Sequence, residues 1–196
     1  ANPDSVINLA VYSKFGGSIP DDINVFKNVQ LIGANNNDMT GLPESMADLQ
    51  YLQILHLNKN SFTEFPEVLT RNRFLKTILL SDNQIGRIPD EISNLVYLED
   101  LVMNDNQLGH FPEAFFNLPS LKVLGLRENS IAELPDKFDR LPNLEKLNLQ
   151  NNEIDRIPES LINNPTIQRL TLKGNPMSTE YVESLRERMR GTEIEF

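Results

Sequence analysis

The sequence predicts an α/β solenoid, in which short parallel strands form one extended sheet and turns or short helices cover its other side. The prediction rests on two residue types, Asn and Pro, that each recur every 23 residues without a slip. A unit of this length with one strand and one turn cannot bury its own apolar face, so neighbouring units must stack around a continuous core. The recurring residues are Asn37, Asn60, Asn83, Asn106, Asn129, Asn152 and Asn175, and Pro20, Pro43, Pro66, Pro89, Pro112, Pro135 and Pro158.

The segment around each recurring Asn predicts a short strand followed by a turn. It reads "LQILHLNKNSF", "LEDLVMNDNQL" and "LEKLNLQNNEI" in three of the units, with the common form LxxLxLxxNxL. The alternation at the second and third Leu is typical of a strand, so the side chains between them point away from the core. The Asn falls where the chain leaves the strand, and its amide can satisfy backbone groups that no regular ladder reaches.

The other half of each unit predicts a short helix that begins at the recurring Pro. Pro suits the first position of a helix, and the acidic residue after it meets the positive end of the helix. Seven of the 28 acidic residues thus have a local structural reason, so the net charge of −10 is weak evidence for a basic ligand. Phe115 and Phe138 occupy a Leu position of this half and are predicted to be core. The seven acids are Asp21, Glu44, Glu67, Asp90, Glu113, Asp136 and Glu159.

This repeat resembles the leucine-rich repeat family, in its 23-residue variety written LPxxLxxLxxLxxLxLxxNxL. The first full unit departs from it at Ala34, and a preceding half-unit keeps Val6, Leu9 and Val11 in phase but has Lys14 in place of Asn. The resemblance implies a curved horseshoe with the parallel sheet on the concave face, short helices or turns on the convex face, and a buried Asn ladder.

We expect three regions: an N-terminal half-repeat or cap at 1–17, seven repeats at 18–177, and a C-terminal capping helix and strand at 178–196. In the last region Val182, Leu185 and Met189 share one helical face, and Ser178 suits the N-cap. This tail looks like those that close bacterial leucine-rich repeat domains. A strand at 6–11 would leave an exposed edge, for which we expect an irregular cap, an upstream segment or contact with a second copy.

Composition excludes several classes of function. The chain has no Cys, and His56 and His110 differ in repeat phase, so neither a zinc site nor a catalytic pair is expected. The stretch "FGGS" at 15–18 lacks the spacing of a phosphate loop. The negative charge argues against nucleic acid, and no apolar run approaches the ~18 residues of a membrane span. We therefore expect no enzyme activity and no cofactor.

The outward positions of the strands are where a partner is expected to bind. Ile54, Leu79, Val102 and Val123 would be adjacent or diagonal and form an apolar patch, which indicates a protein or peptide partner. The alternative is that β-branched residues simply favour strands. The two outward columns are Gly33, His56, Leu79, Val102, Gly125, Asn148 and Thr171, and Leu31, Ile54, Thr77, Asp100, Val123, Lys146 and Arg169.

Beside this patch, Asp82, Asp105 and Glu128 occupy successive units of a third column. Three carboxylates at strand spacing repel one another, so they are either solvated, in contact with a partner, or bound to a cation, although the column supplies too few oxygens for calcium. Tyr51, Phe74 and Tyr97 form a further column at the sheet margin and either flank a ligand or pack against the rim. The predicted partner-binding residues are Ile54, His56, Leu79, Asp82, Asp100, Val102, Asn104, Asp105, Val123, Arg127 and Glu128.

These observations favour a non-enzymatic recognition module that binds a protein or peptide through its concave sheet. The alternative is the targeting or sensor region of a larger enzyme or receptor whose catalytic domain is outside this chain. The first residues, "ANPDSV", have neither an initiating Met nor a signal-like segment, so we expect a processed or excised piece. The tail and the absence of a permitted glycosylation sequon favour a bacterial surface or secreted protein, with the cytoplasm as the alternative.

Overall fold

The computed structural model describes residues 2–11 and 18–196, and over these ranges nine short strands form one open, wholly parallel sheet. The strands follow chain order across the sheet, as the solenoid prediction requires. Lys14 and residues 15–17 of the FGGS stretch lie outside the described residues. The strands are β1 Asn8–Ala10, β2 Leu31–Gly33, β3 Ile54–His56, β4 Thr77–Leu79, β5 Asp100–Val102, β6 Val123–Gly125, β7 Lys146–Asn148, β8 Arg169–Thr171 and β9 Glu193–Glu195.

Strand register repeats the sequence period. Leu55 pairs with Ile78 and Ile78 with Leu101, each 23 residues along the chain. The central residue of each strand from β2 to β8 is buried in the core, while the residues on either side of it face outward. Because side chains alternate along a strand, one residue per strand contributes to the core and two are left for the concave face.

The Asn ladder links each unit to its neighbour. The Asn83 Nδ2 donates to the carbonyl oxygens of Leu57 and Leu80 at 3.1 and 3.0 Å, and its Oδ1 accepts from the backbone N–H of Phe62 at 3.1 Å. The other recurring Asn amides also donate to a carbonyl of the preceding unit. The Asn ladder implied by the family resemblance is therefore confirmed, with five of the seven side chains buried and Asn106 and Asn175 half-buried.

The convex side is built mainly from 3₁₀ turns, and the predicted position of Pro is wrong by one residue. Pro43 is extended and precedes the first helical residue, Glu44, because its carbonyl accepts the first bond of the turn, from the Met46 N–H at 3.0 Å. Phe115 and Phe138 are fully buried, as predicted. The 3₁₀ helices are Pro3–Ser5, Ile23–Val25, Glu44–Asp48, Glu67–Arg71, Asp90–Asn94, Glu113–Asn117 and Phe138–Arg140, and α1 spans Glu159–Ile162.

Two of the seven acids after Pro do not begin a helix. The helices near Asp21 and Asp136 begin at Ile23 and Phe138. Asp136 instead accepts a hydrogen bond from the Ser160 backbone N–H at 2.8 Å, and the Ser160 side chain and N–H lower the pKa of that carboxyl. The helix-end explanation thus holds at the other five units.

At the C-terminus, helix α2 spans Thr179–Arg188 and packs Leu185 into the core. Ser178 caps it by accepting from the Tyr181 N–H at 3.2 Å. Strand β9 then pairs with β8, so the last repeat is covered on this side. At the other end of the described sheet β1 pairs with β2 alone, which leaves the edge that the sequence predicted.

Candidate functional site

The concave face presents the two outward columns in register. Leu79 and Val102 are directly opposite each other on β4 and β5. Ile54 and Val123 lie in the other column, where Thr77 and Asp100 separate them. The Thr77 hydroxyl donates to the Asp100 carboxylate at 3.2 Å. The four apolar residues thus form a diagonal arrangement around a central polar pair, and each is half-buried rather than fully exposed.

The column of Asp82, Asp105 and Glu128 has a backbone explanation that the sequence reasoning missed. Every residue of this column is in the left-handed region, with φ between 52° and 77°. Asn, Asp and Gly tolerate this conformation best, which accounts for five of its seven members. The signal that could have found it is the enrichment of these three residue types immediately before each recurring Asn. The column is Asn36, Lys59, Asp82, Asp105, Glu128, Asn151 and Gly174.

Within this column Asp105 and Glu128 influence each other strongly. Burial, together with the neighbouring Glu128 carboxylate, raises the pKa of Asp105 to about 6. Hydrogen bonds with Asp105, Arg127 and Asn151 lower the pKa of Glu128 to about 2. Arg127 forms an ion pair with Glu128, and Asn151 Nδ2 donates to it at 3.2 Å. The predicted carboxylate repulsion is thus offset by Arg127 and Asn151 and, below about pH 6, by protonation of Asp105.

Asn104 also has a structural role in addition to its outward position. Its Oδ1 accepts the Arg127 backbone N–H at 2.9 Å, one unit further along. Asn35 and Asn58 do the same for the N–H groups of Asn58 and Ser81, both at 2.8 Å. The Asn104 Nδ2 donates no hydrogen bond to another described residue, and its Oδ1 can accept a second one.

The last strands change both the size and the charge of the concave face. Gly125 and Thr171 are buried, and together with Asn148 they leave a trough of about 330 Å³ that reaches from Val102 to Glu195. Lys146 and Arg169 line the same trough. Arg169 forms a bidentate ion pair with Glu193, at 2.8 to 3.1 Å. Both basic residues belong to an outward column that the sequence identified, whereas the trough was not predicted.

The exposed large apolar side chains of the described residues lie outside the predicted patch, and three of them form the aromatic column at the sheet margin. Tyr51, Phe74 and Tyr97 are 56%, 49% and 51% exposed, and Ile7, Val25 and Val96 are also exposed. The rings of Phe74 and Tyr97 stack with centroids 5.9 Å apart and 15° between their planes. This aromatic margin is therefore a second surface that a partner could use.

His56 faces the concave side, while His110 lies on the opposite side in a depression of about 930 Å³ lined by residues from Glu64 to Ala114. The two imidazoles are not brought together. No group of three or more His, Asp or Glu side chains in residues 2–11 and 18–196 is arranged to hold a metal ion. Across the same ranges, no helix combines the length and apolar character that crossing a membrane requires.

Comparison with known proteins agrees with this architecture. A family model described as "Leucine rich repeat" matches residues 73–131, and one described as "Leucine Rich repeats (2 copies)" matches residues 119–165. A leucine-rich repeat protein of Leptospira interrogans superposes with a TM-score of 0.83 at 29% identity, covering 96% of this chain and 54% of its own. No curated protein sequence matches the chain.

A second solved structure is the leucine-rich repeat ectodomain of the Arabidopsis thaliana membrane receptor kinase GASSHO1/SCHENGEN3, in complex with CASPARIAN STRIP INTEGRITY FACTOR 2. It superposes with a TM-score of 0.69 at 28% identity, covering 87% of this chain and 20% of its own. The chain thus spans about half of one neighbour and a fifth of the other. Its repeat, its open parallel sheet and these matches show that the chain belongs to the leucine-rich repeat family, whose domains generally serve in protein recognition.

Proposed function

We propose that this chain is a non-enzymatic recognition module that binds a protein or peptide through the concave face of its sheet. The observation that carries the proposal is the in-register pair of Leu79 and Val102, two apolar side chains at outward positions of neighbouring strands. Apolar side chains on a face that water would otherwise cover favour association with a partner. Ile54 and Val123 extend this pair diagonally, and His56, Asp100 and Asn104 supply polar contacts around it.

The receptor ectodomain described above supports a recognition role, because that structural neighbour is itself solved in complex with another factor. Asp82, Asp105, Arg127 and Glu128 adjoin the apolar residues and would form the polar rim of the interface. Such a rim contributes to specificity more than to affinity.

The test uses peptides selected from a displayed random library against the whole immobilised chain. The double variant Leu79→Asp and Val102→Asp is expected to bind the selected peptides at least about tenfold more weakly, because central apolar contacts dominate most interfaces. Circular dichroism melting checks that the sheet still folds, as expected for outward-facing positions.

The matched control is the pair Tyr51→Asp and Tyr97→Asp, which places the same two charges on the aromatic margin. Binding that survives the control but not the concave pair supports the proposal. Binding lost only in the margin variant would assign recognition to the aromatic margin instead.

A second candidate function is that the chain is the targeting or sensor region of a larger enzyme or receptor. The observation that favours it is that the chain spans only a fifth of a receptor kinase ectodomain. The full-length reading frame decides this: a catalytic domain encoded beside the repeats supports the candidate, and its absence removes it.

A further inference from the structure

The trough across β6, β7 and β8 differs from the rest of the concave face in the size of its side chains. Gly125 and Thr171 are buried, and Asn148 lies between them in register. The same column carries the larger His56 and Leu79 on β3 and β4. The face therefore holds a depression of about 330 Å³ where three consecutive units have small or short side chains.

Gly125 keeps this space open. Glycine weakens a strand unless something approaches the backbone closely. A Cβ at this position would lie 3.0 Å from Val102 Cγ1 and 3.1 Å from Asn104 Oδ1, so any side chain would crowd the trough. Gly33 occupies the same position of β2, but there a Cβ would meet only the Leu9 carbonyl oxygen, at 3.9 Å. The crowding is thus specific to the trough and not a general property of this column.

One positive charge on the trough is free to pair with a ligand. Among the described residues, no carboxylate lies within ion-pair distance of the exposed Lys146 ammonium. Its neighbour Arg169 is already bound by Glu193 at 2.8 Å. In a chain of net charge −10, this unpaired cation next to an apolar pocket selects for a carboxylate.

We propose that the trough recognises an extended peptide segment that places an apolar side chain over Gly125 and an acidic side chain against Lys146. The assignment rests on the proposed concave-face function and specifies the chemistry of its ligand. Val102 and Val123 provide the apolar wall beside Gly125.

The spacing of the two contacts defines a sequence motif in the ligand. Strands lie ~4.8 Å apart and the first and third positions of a strand are ~6.7 Å apart, so Gly125 and Lys146 are separated by roughly 8 Å. Alternate residues of an extended peptide lie ~7 Å apart on one face. The ligand motif is therefore an apolar residue, any residue, and then Asp or Glu, in either chain direction.

The experiment selects displayed random hexapeptides against the whole chain and measures their affinity by fluorescence anisotropy. Selected peptides are expected to be enriched in the motif. Gly125→Val fills the trough and Lys146→Glu reverses its charge, and each is expected to weaken binding about tenfold or more. The controls are Gly33→Val, at the equivalent position of β2, and Lys27→Glu, an exposed site outside the trough. Because the Lys146 side chain is exposed, Lys146→Glu is expected to fold normally. It therefore tests the trough even if Gly125→Val misfolds.

Selection against the Lys146→Glu chain gives an independent readout, since peptides with Lys or Arg at the acidic position should then be enriched. Peptides that depend on Leu79 and Val102 but bind both trough variants as tightly as their controls would overturn the trough assignment alone. A selection whose peptides depend neither on Leu79 and Val102 nor on Gly125 and Lys146 would overturn the proposed function as well.

Discussion

Two neighbouring columns of the repeat illustrate different reasons for a recurring polar residue. The recurring Asn residues, such as Asn83, are mostly buried and use their side-chain amides to satisfy backbone groups of the adjacent unit. The residues immediately before them, such as Asp82, are on the surface and share a positive φ. In the first column the side chain is required, whereas in the second the backbone conformation is required and the side chain is left to vary.

The acidic column is therefore not by itself a partner signal. Asp is tolerated in the left-handed region because its short side chain costs little there. Lys59 and Glu128 are the two members that this explanation does not cover. Glu128 has hydrogen-bonding partners in Arg127 and Asn151, and its identity is therefore more informative about function than that of Asp82.

The largest expected effect comes from removing a ladder amide. Asn83→Ala eliminates the bonds to Leu57, Leu80 and Phe62 and leaves buried backbone groups without partners. The expected loss in the free energy of unfolding is about 3 kcal/mol, because each unsatisfied buried group costs roughly 1 to 3 kcal/mol. Urea denaturation measures it. A loss no larger than that of the surface change Asp82→Ala would contradict the distinction between the two columns.

A smaller effect of opposite sign is expected at Lys59, whose φ is 57°. Lys59→Gly should raise the free energy of unfolding by about 0.5 to 1 kcal/mol, since a Cβ in the left-handed region costs roughly 1 to 2 kcal/mol and glycine flexibility offsets part of the gain. Lys59→Ala removes the same charge but keeps the Cβ, so it serves as the control. Equal stability of the two variants would show that the backbone is not strained here.

The smallest effect concerns the ionisation of Asp105. The folded-state pKa of this carboxyl is raised to about 6, so the folded protein favours its protonated form. The stability that protonation contributes is present below the ordinary pKa near 4 and is lost as the pH rises through 6. Asp105→Asn should therefore melt slightly above the wild type at pH 7, with the gap closing towards pH 4.

Asp82→Asn makes the same chemical change in the same column one unit earlier and controls for the backbone preference of Asn. A melting difference for Asp105→Asn that does not change with pH, or one equally large in the Asp82 variant, would argue against the interaction with Glu128. NMR titration of the Asp105 carboxyl in a Glu128→Gln variant, where its pKa should fall, checks the same pair directly.

Much of the fold was predictable because the repeat is so regular. The in-phase Leu and Asn positions predicted the strands and the core, and the family resemblance implied the Asn ladder; all three are confirmed. The helix starts were less accurate, since Pro43 and its equivalents accept the first turn bond rather than occupy its first position. The predicted site residues do face outward, but which of them contact a partner remains a prediction.

The aromatic margin and the trough show why the rest could not be predicted. Exposure of Tyr51 depends on how far neighbouring units cover its ring, and the space at Gly125 depends on where Val102 and Asn104 turn their side chains. Neither quantity is encoded in a single repeat.

The period of 23 residues and the parallel order of the strands were already set by the amino-acid sequence, because a unit too small to bury its own apolar face has to stack on its neighbours. The interaction between the Asp105 and Glu128 carboxyls and the trough at Gly125 became visible only in the folded structure. These depend on distances between residues that are 20 or more positions apart in sequence and become neighbours only when the units stack.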